Sequence, residues 1–208
     1  MNIFKILGIS IYDLKPRFQA LLRPIATRLV SWGITPNQVT IAAISLSLVE
    51  GYAIVTHPKA ALPLLLLPVV LLVRMALNAI DGLMAKEHDM KTALGEQLNE
   101  WGDIVSDLAL YAPFLFVLDS LIAHMFVCIF AGGIVLSEII GMMGGLQGGT
   151  RRYDGPMGKS DRALWMSVLA VAIALVGVHP FYLEIYMLIL SVLVWITAYN
   201  RLNVGDTK

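Results

Sequence analysis

Long apolar segments alternate with short polar connections along most of this chain. A bilayer core of about 30 Å is crossed by about 20 apolar residues in a helix. Six segments reach about that length, and the short connections make consecutive helices antiparallel neighbours. The pattern predicts six transmembrane helices at 38–57, 61–86, 92–118, 121–148, 161–178 and 181–200.

A different pattern precedes the first predicted span. Between residues 11 and 32, apolar side chains recur at helical intervals with basic residues between them, which is typical of an amphipathic helix in the membrane interface. Pro16 and Pro24 predict a kink or break in this helix. We expect one all-α polytopic membrane domain over 1–208, with a cytoplasmic interfacial segment (1–37), a six-helix bundle (38–200) and a cytoplasmic tail (201–208).

Composition and charge agree with a membrane protein. The chain is 58% hydrophobic and 14% charged, with a mean hydropathy of +0.75, whereas about a quarter of a soluble domain is charged. Of the 15 Lys and Arg residues, only Lys59 falls on one face and only Arg74 within a span. The positive-inside rule therefore predicts cytoplasmic N- and C-termini, and we expect an inner (cytoplasmic) membrane of the bacterial type.

Polar side chains recur at helical spacing where the second and third predicted spans meet. Asn78 and Asp81 are three residues apart, and Asn99, Asp103 and Asp107 are each four apart, so each set lies along one helix face. A carboxylate at the bilayer centre costs roughly 2.5 to 3.5 kcal/mol on insertion scales. These residues are therefore the candidate functional site.

The short turn between the two helices predicts which of these residues lie at equal depth. From the cytoplasmic end inward, the predicted pairs are Asp81 with Asn99, Asn78 with Asp103, and Arg74 with Asp107. The deepest pair is expected to be structural and charge-compensated, with Glu50 and Glu138 as rival partners for Arg74.

The four shallower residues, Asn78, Asp81, Asn99 and Asp103, are called the shallow site below. Their hard oxygen atoms suit Mg²⁺, Mn²⁺ or Ca²⁺. A divalent ion there could neutralise a pyrophosphate while a carboxylate accepts a proton from an attacking hydroxyl. An ordinary hydrogen-bonded polar seam is the alternative.

Other features bear on ligands and assembly. Basic residues suited to phosphate fall at the same membrane face as the shallow site, where the positive-inside bias alone would also place them: Lys86, Arg151, Arg152, Lys159 and Arg162. In the fourth span, Gly141 with Gly145 and Gly144 with Gly148 would let helices approach closely, within one chain or in a homodimer.

The polar residues belong to one spaced motif: Asn78-x2-Asp81-Gly82-x2-Ala85-Lys86-x8-Gly95-x3-Asn99-x3-Asp103. It resembles the signature of the CDP-alcohol phosphotransferases, D-x2-D-G-x2-A-R-x8-G-x3-D-x3-D. Segment 34–40 also resembles the start of that family's first span. The resemblance covers nearly the whole chain.

The resemblance implies a reaction and roles for its residues. A substituted phosphate group would pass from a CDP-alcohol, with CDP-diacylglycerol expected, to an acceptor hydroxyl, releasing CMP in phospholipid biosynthesis. Mg²⁺ or Mn²⁺ would lie in the shallow site, with Asp103 as general base. The implied nucleotide-binding residues are Asn37, Thr40, Gly82, Ala85, Lys86 and Gly95. The resemblance implies Lys159 and Arg162 as acceptor-phosphate residues, and the charges of Arg151 and Arg152 at the same face add these two to the expected set.

The chain departs from the family pattern at three positions. Asn78 and Asn99 replace the first and third aspartates, and Lys86 replaces the arginine, so the nominal ligand charge falls from four negative to two. Either Glu100 or Asp107 assists, the site works with fewer or weaker metals, or the activity is lost.

Two other functions therefore stay open. One is a catalytically silent protein that binds a CDP-lipid or a partner protein, and the weaker one is a transporter whose pathway would use Arg74 and the buried acids. Expected partners are the lipid bilayer, a CDP-alcohol, a hydroxyl acceptor that can be phosphorylated and a second copy of the chain; no nucleic acid is expected.

Overall fold

The computed structural model describes residues 11–146 and 155–203, with side chains over 18–144 and 155–203. The regular elements in this part of the chain are helices: α1 Ile11–Ser31, α2 Pro36–Thr56, α3 Ala61–Glu87, α4 Ala93–Tyr111, α5 Phe114–Val117, α6 Leu121–Leu146, α7 Lys159–Val176 and α8 Pro180–Asn203. The predicted phosphate ligands Arg151 and Arg152 lie outside the described residues, as does Gly148.

The chain turns sharply between α1 and α2. The helix α1 continues through its two prolines, without the predicted break, and ends at Ser31. Gly33 follows in the turn with a left-handed φ of +78°. The Ile34 amide donates to the Leu29 carbonyl at 3.1 Å, which closes the helix end as glycine C-caps commonly do. Thr35 and Gln38 then form a capping box that starts α2.

The third predicted span is not one continuous helix. The helix α4 ends at Tyr111, and a single helical turn, α5, follows after Pro113. Proline has no amide hydrogen to donate to the preceding turn, which explains the interruption. The prediction of one helix over 92–118 was therefore wrong at its C-terminal end.

The helices pack around two buried apolar clusters. In the larger cluster, residues from α2 to α8 meet, including Leu67, Phe114 and Phe130. The smaller one joins α1 to α2 and α3 through residues such as Leu22 and Met84. Large apolar side chains are also exposed along most helices, as expected where lipid replaces water outside the bundle.

The helices α2 and α4 run parallel and touch through glycines. Three contacts line this seam: Gly95 with Asn37, Gly102 with Ile44, and Gly51 with Ala109. Successive contacts are seven residues apart on both helices, which is the repeat of a left-handed helix pair. A Cβ on Gly51 would collide with the Ala109 carbonyl oxygen, so the two backbones are in direct contact.

Four of the described helices are long and apolar enough to cross a membrane: α2, α3, α6 and α8. The other two long helices of the predicted bundle, α4 and α7, carry more charge, including Asp103 and Asp107 in α4 and Arg162 in α7. The count of six spans therefore stays a prediction.

Candidate functional site

The shallow site lies between α3 and α4, whose long side chains meet across it. The prediction that these consecutive helices pack as close neighbours was wrong, because α3 packs against α2 and α7, and α4 against α2. Asp81 and Asp103 are buried, with 5% and 3% of their surface exposed, whereas Asn78 and Asn99 are half-buried. The Asn78 amide donates to Asp103 Oδ1 at 2.8 Å. The structure thus brings together the two residues expected in the middle layer.

Asp81 has a different partner from the one expected. Among the described residues, the side chain that donates a hydrogen bond to Asp81 is Thr40 on α2, at 2.7 Å, and not Asn99. The sequence pattern of α3 and α4 could not show this contact, although Thr40 lies in the segment that resembles the family. Three helices, α2, α3 and α4, therefore position the two buried carboxylates.

A cation from a fourth helix enters the shallow site. Lys159 begins α7, and its ammonium group donates to Asp103 Oδ2. The other carboxylate oxygen, Oδ1, accepts from Asn78 and lies 3.5 Å from the Arg74 guanidinium. Both oxygen atoms of Asp103 therefore already have positively polarised partners.

Deeper in the bundle lies a chain of ion pairs that we call the deep ion network: Arg74, Asp107, Glu138, Arg162 and Arg201. Arg74 Nη1 donates to Asp107 Oδ1 at 2.5 Å, and Arg162 Nε donates to Asp107 Oδ2 at 2.9 Å. Arg162 Nη2 also donates to Glu138 Oε1 at 2.8 Å, and Arg201 lies 3.4 Å from the same oxygen. Five helices are linked in this way.

The deep ion network changes the roles expected for several residues. Arg162 is 0% exposed, and its Nη1 donates to the Met157 carbonyl, so the structure gives it internal partners in place of an acceptor phosphate. Asp107 has guanidinium partners on both oxygens, which leaves it unsuited to replace a missing metal ligand. Glu138 contacts Arg162 and Arg201 rather than Arg74.

Glu50 lies outside the deep ion network. It is buried on α2, and its Oε1 has no hydrogen-bond partner among the described residues. Glu50 was named as a rival partner for Arg74, and the structure instead pairs Arg74 with Asp107, as predicted. The contribution of Arg201 was missed, because its position near the chain end suggested only a cytoplasmic charge.

The residues expected at the nucleotide differ in what surrounds them. A Cβ on Gly95 would come within 2.6 Å of the Asn37 side-chain oxygen, so packing between α2 and α4 explains this glycine. Within the described part of the chain, a Cβ on Gly82 would meet no heavy atom within 4 Å. Ala85 is half-buried and Lys86 exposed. The face of α3 beside Asp81 is therefore open at Gly82.

The donor atoms of the shallow site suit a hard cation. In the described part of the chain, no three His, Cys, Asp or Glu side chains lie together as a metal-binding group. The shallow site supplies two carboxylates and two amides, which are hard oxygen donors. Lys159 and Asn78 already contact Asp103, so less of this carboxylate is open to a metal ion.

Comparison with solved structures defines the class of fold. The chain matches phosphatidylinositol phosphate synthase (PgsA1) of Mycobacterium tuberculosis in complex with manganese and citrate, with a TM-score of 0.74 and 23% identity over 87% of both chains. It matches the same protein with CDP-DAG bound with a TM-score of 0.74 and 22% identity, over 88% of this chain and 92% of that one. The fold is that of the CDP-alcohol phosphotransferase PgsA1.

Sequence comparison then gives the family. The chain is 42% identical over 192 residues to the inner membrane protein YnbA of Escherichia coli (strain K12), which covers 92% of this chain and 94% of that protein. The chain therefore belongs to the same protein family as YnbA. It matches no protein-family model.

Proposed function

We propose that this protein transfers a substituted phosphate group from a CDP-alcohol, CDP-diacylglycerol, to an acceptor hydroxyl in phospholipid biosynthesis. The observation that carries the proposal is the pair of buried carboxylates, Asp81 and Asp103, beside the open helix face at Gly82. A related fold with CDP-DAG bound supports the choice of donor. The proposed location is the cytoplasmic face of an inner membrane, with both termini in the cytoplasm.

The shallow site would hold one divalent ion through Asn78, Asp81, Asn99 and Asp103. The chemistry that Mg²⁺ or Mn²⁺ supplies when bound is to neutralise the donor pyrophosphate and polarise the phosphorus under attack. The manganese in PgsA1 supports this choice of ion. Thr40 would keep Asp81 oriented, because its hydroxyl fixes one carboxylate oxygen.

Asp103 is the proposed general base. It would accept the proton of the acceptor hydroxyl as that oxygen bonds to the β-phosphorus of the donor. The bond between this phosphorus and the oxygen bridging to CMP would break, so CMP leaves with the bridging oxygen. Asn78 and Lys159 hold the Asp103 carboxylate by one oxygen each, which supports a fixed orientation for proton transfer.

The open face of α3 is proposed to receive the nucleotide. Gly82 and Ala85 would let it lie against the helix, and the exposed Lys86 would reach a phosphate. Asn37 and Gly95, which are packed against each other, would form one edge of this nucleotide-binding region. Arg151 and Arg152 stay the proposed acceptor-phosphate residues, and Arg162 is withdrawn from that set because it is buried in the deep ion network.

The assembly is also part of the proposal. Six spans and a homodimer follow from the sequence pattern and from the family resemblance. Gly141 and Gly144 are buried by the chain itself, which favours an intramolecular role for the glycine spacing of α6. A dimer would therefore use another surface.

The test is release of CMP by the purified protein in detergent. CDP-diacylglycerol and Mn²⁺ would be supplied with glycerol phosphate, inositol phosphate, serine or glycerol. We expect CMP release with one of these acceptors. The control variant Glu96→Gln, at an exposed position on α4, should release CMP as the wild type does. CDP-diacylglycerol binding without CMP release in the presence of any acceptor would instead identify a catalytically silent binding protein. This is the second candidate function, and the two asparagines and the contact of Lys159 with Asp103 favour it.

A further inference from the structure

Lys159 occupies an unusual position for a substrate-binding lysine. Its side chain is 32% exposed and its ammonium group contacts Asp103, which is 2% exposed at its side chain. A cationic side chain at the start of α7 thus lies directly against one of the two buried carboxylates of the shallow site.

The charges of the shallow site, Lys159 and the deep ion network balance without any added ion. In the described part of the chain, the shallow site, Lys159 and the deep ion network together contain four carboxylates and four cations: Asp81, Asp103, Asp107 and Glu138, with Arg74, Lys159, Arg162 and Arg201. A motif with four aspartates would carry two more negative charges, which additional metal ions could neutralise. Here Asn78 and Asn99 remove those charges, and Lys159 neutralises one of the two that remain.

We propose that the Lys159 ammonium group replaces a second divalent cation at Asp103. The inference rests on the proposed function of the shallow site and specifies its metal content. The lysine competes with metal for Asp103 Oδ2, so the site takes at most one divalent ion, on the side of Asp81 and the two asparagines. Lys159 then acts as a built-in counter-ion and not as a ligand of the acceptor phosphate.

Manganese binding to the purified protein tests this directly, without nucleotide or turnover. Isothermal titration with Mn²⁺ should give no more than one ion per wild-type chain. Lys159→Met should bind Mn²⁺ about tenfold more tightly or gain a second ion, because a neighbouring positive charge has been removed. Lys159→Arg keeps the charge and should bind like the wild type, as should the matched surface control Lys91→Met.

Lys159→Gln provides a second neutral variant that retains a hydrogen-bond donor for Asp103, and gel filtration checks the folding of each protein. Two Mn²⁺ ions in the wild type would overturn the inference, and so would equal Mn²⁺ binding by the wild type and the neutral variants. Because no CMP release is measured, an inactive protein can still show the difference. An active protein with two ions would overturn this inference alone.

Discussion

The shallow site and the deep ion network share α3, α4 and α7, but their charged residues have different surroundings. In the deep ion network, both oxygens of Asp107 contact guanidinium groups, and Arg162 is completely buried. In the shallow site, Asn99 is half-buried, Lys159 is partly exposed, and the helix face at Gly82 is open. Intramembrane charges that are compensated inside the chain serve the fold, and those beside open space are available to a ligand.

Removing the central cation of the deep ion network should have the largest effect. Arg162→Met leaves Asp107 and Glu138 without a shared partner, and breaking a buried pair costs about 3 to 5 kcal/mol. We expect a much lower unfolding temperature in detergent. Arg28→Met, at an exposed position on α1, should leave that temperature unchanged. Equal unfolding of both variants would show that the network does not stabilise the fold.

In the shallow site, Asp103→Asn should instead separate activity from stability. The amide keeps the shape of the side chain but cannot act as a base, and general-base catalysis is worth about 10² to 10⁴-fold. We expect CMP release to fall by that factor, with a smaller change in unfolding temperature than for Arg162→Met. Undiminished turnover would remove Asp103 as the base.

The contact between α2 and the shallow site should matter to a smaller degree. Thr40→Val removes the hydroxyl that donates to Asp81 while keeping the side-chain shape. A hydrogen bond to a charged group contributes about 1.5 to 3 kcal/mol, so CMP release should fall about 10- to 100-fold. Thr56→Val is the matched control, since the partners of the Thr56 hydroxyl among the described residues are carbonyls of its own helix and the adjacent His57. Similar loss in both variants would argue against a specific role for Thr40.

Alanine substitutions at two glycines, Gly82 and Gly51, should have the smallest effects. Gly82→Ala fills open space, so stability should hold or rise by about 0.5 to 1 kcal/mol, while CDP-diacylglycerol binding should weaken about tenfold. Gly51→Ala should lower stability, because its Cβ meets the Ala109 carbonyl. Thermal unfolding and equilibrium binding measure both effects. Unchanged CDP-diacylglycerol binding by Gly82→Ala would mean that the nucleotide does not use this face.

The parts of the site that could be predicted come from one helical hairpin. The short turn between α3 and α4 fixes their relative register, so residue numbers alone predicted that Asn78 meets Asp103 and that Arg74 meets Asp107. The helix bounds followed from apolar length, except where Pro113 interrupts the third segment.

The missing parts have two causes. Thr40 lies on α2, which the turn at 57–60 joins to α3, so its contact with Asp81 was open to the same register argument, which was applied only to α3 and α4. Arg201 reaches Glu138 from α8, and no short turn joins α6 to α8. Sequence spacing carries no register information between such helices. The burial of Arg162 could not be predicted for the same reason, since its charge alone suits a phosphate as well as a carboxylate.

The parallel seam between α2 and α4 has a consequence for how this chain can change in evolution. Thr40 and Asp103 lie on helices that are held in register by glycine contacts seven residues apart. Residues added in the outer turn at 57–60 would leave that register intact. One residue inserted between Gly95 and Gly102 would rotate Asp103 by about 100° and separate it from its partners. We therefore expect natural length variation in the outer turn, and none within this seam.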